Sequence, residues 1–246
     1  MTNKYMYFVA NWKMYGNLSS LNTLDKVIKF SKSKEIKKGR LIYCPPYTLI
    51  SSFSKKFKNC QIGIGAQNCH ESENYGPYTG SINSRMLKNI GAHFVIIGHS
   101  ENREKGESDK LINLKIKSAL EAKLKIIFCI GEKLSEKIKK NTQSILSKQI
   151  KVGLDGVKNK SAIFIAYEPV WAIGSGIIPK SKDLLKTINF IKSKFKGKTP
   201  KVLYGGSVNP QNIKNLKDIN NIDGFLIGGA SQNTNKFIDI VKKTYS

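Results

Sequence analysis

Three side chains able to take part in proton transfer each follow an apolar run of the chain. Lys13 follows YMYFVAN, His99 follows HFVIIG, and Glu168 follows AIFIAY. A glutamate serves as a base, a histidine as an acid or hydrogen-bond donor, and a lysine as an electrostatic clamp. Each has an ordinary structural explanation when taken singly, since a histidine can cap a strand and a glutamate before proline can end one. Their joint placement favours an acid–base site.

Glycine clusters follow the last three apolar runs. They include Gly174, the Gly205-Gly206 pair with Ser207 behind it, and the Gly228-Gly229 pair. Backbone N–H groups converge on a phosphate most easily where no Cβ blocks the approach. One glycine pair more often marks a tight turn. Three clusters after consecutive runs favour a phosphate site.

The apolar runs themselves predict strands. Each has four to eight mostly continuous apolar residues, as is typical of parallel strands covered on both faces. The eight runs are YMYFVAN from Tyr5, RLIYC from Arg40, IGIGA from Ile62, HFVIIG from His93, KIIFCI from Lys125, AIFIAY from Ala162, KVLY from Lys201 and GFLIG from Gly224.

Stretches with helical spacing separate these runs, as at Leu184, Ile188 and Ile191. Asn209-Pro210 and Ser181 are the predicted helix starts. Eight strand–helix units in 246 residues predict an α/β fold with a closed (β/α)8 barrel, in which active sites gather at the carboxyl ends of the strands. Periodicity alone leaves a doubly wound sheet possible. No Pro- or Ser-rich linker interrupts the chain, so we expect one domain over residues 1–246.

The net charge of +25 raises the question of nucleic-acid binding. Only three of the 42 basic residues are arginines, and the lysines are spread along every predicted helix. We therefore favour compositional drift over selection for a polyanion, and expect a small anionic substrate and no nucleic-acid partner. The four cysteines form no C-x-x-C pair, so we expect reduced thiols and no metal.

The sequence also bears on cellular location. No stretch approaches the roughly 18 consecutive apolar residues of a membrane span. Residues Met1 to Ala10 lack the apolar segment and cleavage site of a signal peptide. We therefore expect a cytoplasmic protein without a membrane partner.

Motifs along most of the chain, from Tyr5 to near the C-terminus, resemble the triosephosphate isomerase family in order and spacing. The stretch from Ala166 to Gly174 is highly specific, whereas Gly228-Gly229 alone is not. The matching stretches are Asn11 to Met14, Ala66 to Asn68, Tyr78 to Gly80, Gly98 to Glu101, Cys129 to Glu132, Ala166 to Gly174, Tyr204 to Val208 and Gly228 to Ser231.

This resemblance implies a cofactor-free and metal-free isomerase of glycolysis and gluconeogenesis, which interconverts dihydroxyacetone phosphate and glyceraldehyde 3-phosphate through an enediolate. It implies that Glu168 is the base between C1 and C2, and that His99 is a neutral imidazole polarising the carbonyl. Lys13 resembles the cation facing the enediolate, with Asn11 as a hydrogen-bonding partner. Ser100 and Glu101 resemble supporting residues.

The resemblance also implies a mobile lid over residues Pro169 to Gly176. The N–H of Gly174, with Ser207 and the amides of Gly228 and Gly229, is expected to hold the phosphate when the lid closes. Ile173 and Leu226 resemble an apolar pair that desolvates the base, and a desolvated carboxylate is a stronger base. The lid is needed to keep water from the enediolate.

The family is typically homodimeric, and the loop from Asn68 to Ile82 resembles the segment that enters the partner subunit. Thr79 is then expected to approach the partner's site. Four positions depart from the family pattern, while the catalytic positions are intact. The departures are Ser175 for threonine, Tyr15 for asparagine, Ser81 for glutamate and Asn102 for arginine.

Two rival functions follow from the same features. Another phosphate-handling barrel enzyme would share the glycine clusters, but would not be expected to combine Lys13, His99 and Glu168 with this lid sequence. A basic barrel that binds nucleic acid or a charged surface would show a steep salt dependence of binding. That function would leave the acid–base set unexplained.

Overall fold

Eight parallel strands close into a barrel in sequential order in the computed structural model, which describes residues 4–36, 38–197 and 199–246. The closure is made by β1, which pairs with both β2 and β8. The strands are β1 (Met6–Asn11), β2 (Gly39–Cys44), β3 (Gly63–Ala66), β4 (Phe94–Ile97), β5 (Lys125–Ile130), β6 (Ile163–Tyr167), β7 (Lys201–Tyr204) and β8 (Gly224–Ile227). All eight predicted strands are confirmed, and the closed barrel excludes the doubly wound alternative.

Helices connect the strands on the outside of the barrel. The α-helices are α1 (Leu24–Ser31), α2 (Ile50–Lys56), α3 (Ser84–Asn89), α4 (Ser100–Glu104), α5 (Asp109–Glu121), α6 (Leu134–Ile138), α7 (Thr142–Gly153), α8 (Ser181–Ser193), α9 (Ile213–Lys217) and α10 (Thr234–Tyr245). Short 3-10 helices occupy Leu18–Thr23, Lys34–Ile36, Tyr47–Leu49, Val170–Ala172 and Gly229–Gln232. Across the described ranges, no helix combines the length and the apolar character needed to cross a bilayer.

Both predicted helix starts were wrong in detail. Ser181 is the first residue of α8, and its predecessor Lys180 occupies the cap position without a side-chain hydrogen bond. Asn209 does cap a turn, because its Oδ1 accepts from the N–H groups of Gln211 and Asn212. The α-helix begins only at Ile213, since the chain first makes this capped turn.

Two apolar clusters hold the barrel together. The larger cluster lies between the strands and the surrounding helices, and includes Phe8, Tyr43 and Phe237. The smaller one fills the interior of the barrel, and its members alternate along the strands, as at Phe164 and Ala166 of β6. Because both faces of each strand are buried, the runs of apolar residues are continuous in sequence.

The alternation within each strand decides which polar residues reach the interior. Side chains two residues apart point to the same face of a strand. Asn11 therefore continues the inward row of Val9, and Glu168 continues that of Phe164 and Ala166. Both side chains emerge at the carboxyl end of the barrel, where Asn11 and Glu168 are almost fully buried.

Candidate active site

A cavity of about 340 Å³ opens at the carboxyl ends of the strands. It collects predicted residues that are far apart in sequence. Those that line it are Asn11, Lys13, His99, Glu168, Ile173, Gly174, Ser207, Leu226, Gly228 and Gly229. The wall also contains the Gly205-Gly206 pair, one of the glycine clusters that predicted the phosphate site. Residues for which no site role was predicted complete it, namely Val208, Asn209, Pro210, Gln211, Ala230 and Lys236.

The Glu168 carboxylate lies at the deep end of this cavity and is only 2% exposed. One oxygen accepts from the backbone N–H of Ser100 at 3.2 Å, and the other lies 3.2 Å from Nε2 of His99. Burial raises the pKa of Glu168, while His99, the Ser100 N–H and Lys13 act in the opposite direction without cancelling the effect. A carboxylate with a raised pKa is a better proton acceptor near neutral pH.

The hydrogen bonds of His99 define which ring nitrogen carries a proton. Its Nδ1 accepts from the backbone N–H of Glu101 at 3.3 Å, within the first turn of α4. A nitrogen that accepts a hydrogen bond offers its lone pair, so this contact assigns the ring hydrogen to Nε2. That N–H faces Glu168 and the cavity, and is available to donate to a ligand oxygen.

Lys13 reaches into the cavity from β1 and pairs with a carboxylate of α4. Its Nζ lies 2.5 Å from Oε1 of Glu101, whose side chain is half exposed. Partial burial alone would raise the pKa of Glu101, but the hydrogen bond from Lys13, the adjacent His99 ring and the positive charge of Lys13 outweigh it and lower that pKa. Glu101 thus holds the ammonium group in place beside the cavity.

The backbone of Lys13 is unusual, because its φ of 55° lies in the left-handed region that residues other than glycine rarely adopt. Two neighbours hold it there. Oδ1 of Asn11 accepts from the Lys13 N–H at 3.1 Å, and Nε2 of Gln67 donates to the Lys13 carbonyl at 2.8 Å. Asn11 therefore shapes the loop as well as lining the cavity. Gln67 is a positioning residue to which no role was assigned from sequence.

Two glycines make room for Glu168. A Cβ on Gly131 would lie 1.7 Å from the Glu168 carbonyl oxygen, and a Cβ on Gly205 would lie 2.8 Å from Glu168 Cγ. Neither gap accommodates a methyl group, since such contacts are far inside van der Waals range. The neighbouring strands β5 and β7 thus pack directly against the base, and only glycine at these positions permits the approach.

The segment from Pro169 to Gly176 is anchored at one end and projects at the other. At its start, Trp171 Nε1 donates to Oε1 of Glu132 at 2.9 Å, and the Val170 N–H donates to the Glu132 carbonyl at 3.0 Å. Burial raises the pKa of Glu132 despite the hydrogen bonds it accepts. By contrast, Gly174 to Gly176 is exposed. An anchored start and an exposed tip are the features expected of a lid.

The supporting residues divide into two groups. Ser100 and Glu101 contact the central carboxylate and the lysine, as described above, and Ile173 and Leu226 line the cavity wall. Thr79 is exposed in the loop between β3 and α3 and does not line the cavity of its own chain. Its predicted role depends on a second subunit.

The cysteines and potential metal ligands of the described residues are not part of the cavity lining, apart from His99 and Glu168. The four cysteines are free thiols, and burial with the nearby Glu168 charge raises the pKa of Cys129 well above its usual range. Within residues 4–36, 38–197 and 199–246, no three His, Cys, Asp or Glu side chains group as metal ligands would. The cavity combines a buried carboxylate, a histidine, a lysine and glycine-rich walls.

Comparisons with known proteins place this site in a family. The model of the triosephosphate isomerase family matches residues 6–244. The triosephosphate isomerase of Thermodesulfovibrio yellowstonii is 41% identical over 245 residues, covering 96% of this chain and 98% of the relative. That of Aquifex aeolicus is 40% identical, covering 94% and 96%. The crystal structure of triosephosphate isomerase from Bartonella henselae superposes with a TM-score of 0.87 at 35% identity, covering 96% of this chain and 97% of that one. The chain belongs to the triosephosphate isomerase family.

Proposed function

We propose that this chain interconverts dihydroxyacetone phosphate and glyceraldehyde 3-phosphate, with Glu168 as the base. The observation that carries the proposal is the buried Glu168 carboxylate, 3.2 Å from a histidine that presents Nε2–H to the same cavity. The two triose phosphates contain the same atoms. Their interconversion therefore needs only protons to move between neighbouring carbons and oxygens.

The proton transfer follows from these positions. Glu168 leaves the Ser100 N–H, removes a proton from C1 of the ketose, and returns one to C2 of the enediolate, while the proton of the C1 hydroxyl passes to the C2 oxygen. His99 donates from Nε2 to the carbonyl oxygen as negative charge develops there, and this family is the known example of a neutral histidine in that role. The Lys13 ammonium stabilises the same charge, with Glu101 holding it and Asn11 beside it.

The phosphate is assigned to the opposite wall, where Ser207, Gly228 and Gly229 line the cavity. Their backbone amides can face an anion at short range because the glycines carry no side chain. Gly174 adds its N–H when the lid closes. Ile173 and Leu226 then exclude water from the base, which protects the enediolate from losing its phosphate.

The test is a coupled isomerase assay on the purified protein without added metal or cofactor, comparing Glu168→Asp with wild type. Shortening the side chain by one methylene moves the base by about 1 Å, so we expect kcat to fall about 100-fold or more, with a smaller change in KM. Glu121→Asp removes the same methylene from an exposed residue of α5 and is the control. Near-normal turnover in Glu168→Asp rules Glu168 out as the base.

A homodimer is proposed from the apolar side chains that this chain leaves exposed beside the site. Met14 is 94% exposed and Tyr15 60%, and Tyr75 and Tyr78 in the loop from Asn68 to Ile82 are 74% and 47% exposed. Large exposed apolar groups, here on the loops that follow β1 and β3, are typical of an interface. A second copy would cover them and bring Thr79 towards the partner's site.

The departures Ser81 and Asn102 affect how this dimer is held. Replacing both members of an ion pair together is often neutral, whereas a single unpaired buried charge costs about 3–5 kcal/mol. In the family pattern the glutamate at position 81 and the arginine at position 102 pair across the interface, and here both are replaced. We therefore expect a dimer without this ionic contact. Dissociation constants for Ser81→Glu, Asn102→Arg and the double variant test it. Each single change should weaken the dimer, and the pair should recover about 1 kcal/mol or more. Strict additivity would show that the two positions do not face each other.

The remaining assignments rest on sequence and fold together. Treatment of residues 1–246 as one domain is supported by the pairing of β1 with β8, which joins the two ends of the barrel. A cytoplasmic location and the absence of a nucleic-acid partner stay predictions from the sequence. Residues 1–3, the start of the segment from Met1 to Ala10 that was predicted to lack a signal peptide, lie outside the described residues.

A further inference from the structure

Lys236 lies on the wall of the cavity assigned to the phosphate, although no motif pointed to it. It lines that cavity together with Ser207, Gly228 and Gly229. It is the third residue of α10, and its side chain is exposed. An ammonium on a flexible stem at this rim can reach towards an anion in the cavity.

A lysine at this point of a helix is electrostatically unfavourable in the free protein. The first turn of a helix carries partial positive charge from its unpaired N–H groups, which favours acidic side chains there. Acidic residues occupy the first turns of five other helices, as Asp25, Glu101, Asp109, Glu136 and Asp183. The first turn of α10 has no acidic residue, as is also true of α2, α3, α7 and α9, and it carries Lys236 at the wall of the cavity.

No carboxylate in the described part of the chain neutralises this lysine by forming an ion pair with it. Asp239, one turn further along α10, is paired with Lys243 at 2.9 Å. Lys13, the other cation lining the cavity, is paired with Glu101. The phosphate side of the cavity therefore has a positive charge that is not offset locally.

We propose that Lys236 is a second substrate-recognising cation, which attracts and holds the phosphate at the rim of the cavity. This inference rests on the proposed function for the identity of the substrate. The phosphate keeps its charge throughout the isomerisation, so Lys236 interacts equally with the ground state and the transition state. Such uniform binding affects KM and kcat/KM and leaves kcat unchanged.

The test compares Lys236→Gln with Lys182→Gln, which removes the same charge from an exposed lysine in the first turn of α8 that does not line the cavity. In Lys236→Gln we expect kcat/KM to fall about three- to tenfold at low salt, with kcat within about twofold of wild type. The dissociation constant of inorganic phosphate, measured by calorimetry, should rise by a similar factor. Both effects should shrink as salt is added, and Lys182→Gln should show neither.

Three results would overturn the inference. Unchanged KM and phosphate affinity in Lys236→Gln would show that Lys236 does not interact with the phosphate. Equal losses of kcat/KM and phosphate affinity in Lys236→Gln and Lys182→Gln would show that the effect comes from the net charge of the protein. A fall in kcat alone would assign Lys236 to the chemical step instead. Phosphate calorimetry does not depend on turnover. If the wild-type protein has no isomerase activity, the proposed function is wrong, but the phosphate affinities still test the role of Lys236.

Discussion

At the carboxyl ends of its strands the barrel carries Glu168, His99 and Lys13. At the amino ends it carries a cluster of aromatic side chains and the ion pairs of Asp223. Tyr7 stacks edge-on against Phe164 at 4.9 Å, and Phe164 in turn packs against Phe94. The carboxyl end buries a carboxylate whose pKa is raised, and it accepts a left-handed lysine backbone.

At the amino end, the carboxylate of Asp223 has several local partners. Asp223 pairs with Lys192 at 2.8 Å and lies 3.6 Å from the amino group of Lys201. Its carboxylate also accepts from the N–H of Val202, and its carbonyl accepts from the N–H of Tyr7. One residue thus connects β1, β7 and β8. The difference indicates that the amino end contributes stability and the carboxyl end contributes chemistry at some expense of stability.

The largest expected effect is at Lys13. Lys13→Ala removes a cation facing the developing charge, so we expect kcat to fall about 10²–10³-fold, together with weaker binding. Lys13→Arg should not restore activity. The Lys13 side chain packs close to the backbone of Gly228, since a Cβ placed there would lie 3.3 Å from Lys13 Cε. The planar guanidinium of arginine is wider than the ammonium group of lysine and needs more room. Steady-state kinetics measure both, and wild-type constants in either variant would contradict the assigned role.

Gly131→Ala tests the packing behind the base. The added methyl would meet the Glu168 carbonyl oxygen, so the backbone must shift and carry the carboxylate with it. We expect kcat to fall about 100-fold and the free energy of unfolding to fall by about 1–3 kcal/mol. Gly229→Ala, where a Cβ meets nothing within 4 Å, is the control for stability. Unchanged kcat in Gly131→Ala would show that the base tolerates displacement.

The pH dependence of kcat/KM reports the Glu168 carboxyl in the free protein. Only the ionised form accepts a proton, so kcat/KM should rise with pH. Its midpoint should lie above the usual value of 4.5, because burial raises the pKa of Glu168. Lys13→Ala should move the midpoint higher, since the Lys13 charge acts to lower that pKa. A midpoint at or below 4.5 would show that burial is not the dominant influence on the pKa of Glu168.

Asp223→Ala tests the other end of the barrel. It leaves the buried Val202 N–H without its acceptor and removes the partner of Lys192, so we expect a loss of about 1–3 kcal/mol in unfolding free energy. Turnover at 25 °C should stay within about twofold of wild type. Urea unfolding at one fixed protein concentration measures the first quantity. A large loss of kcat in the folded variant would mean that the two ends are coupled.

The smallest expected effect is an increase in stability from Tyr43→Phe. The Tyr43 hydroxyl is buried and finds no hydrogen-bond partner among the described protein atoms, so its removal should stabilise the fold by about 1 kcal/mol. Tyr167→Phe removes the same atom where it donates to Glu132, and should destabilise the fold. Thermal unfolding of both variants gives the comparison. Shifts of the same sign would show that hydrogen bonding does not distinguish the two sites.

Much of the architecture was accessible from the sequence. Eight apolar runs predicted eight strands, and the polar residues after those runs predicted the site, because the carboxyl ends of parallel strands share one end of a barrel. The glycine pairs after β7 and β8 were recognisable for the same reason. The separation of Lys13, His99 and Glu168 along the chain did not obscure them, since each follows its own strand.

Tertiary structure decided the contacts between these elements. Continuous apolar runs do not reveal which face of a strand points inward, so the inward rows that present Asn11 and Glu168 appeared only when the barrel closed. The need for glycine at position 131 depends on how closely β5 approaches β6. Lys236 reaches the cavity wall because α10 begins beside the loop that follows β8. The sequence determines which side chains follow each strand, but distances between separate elements depend on the packing of the whole chain.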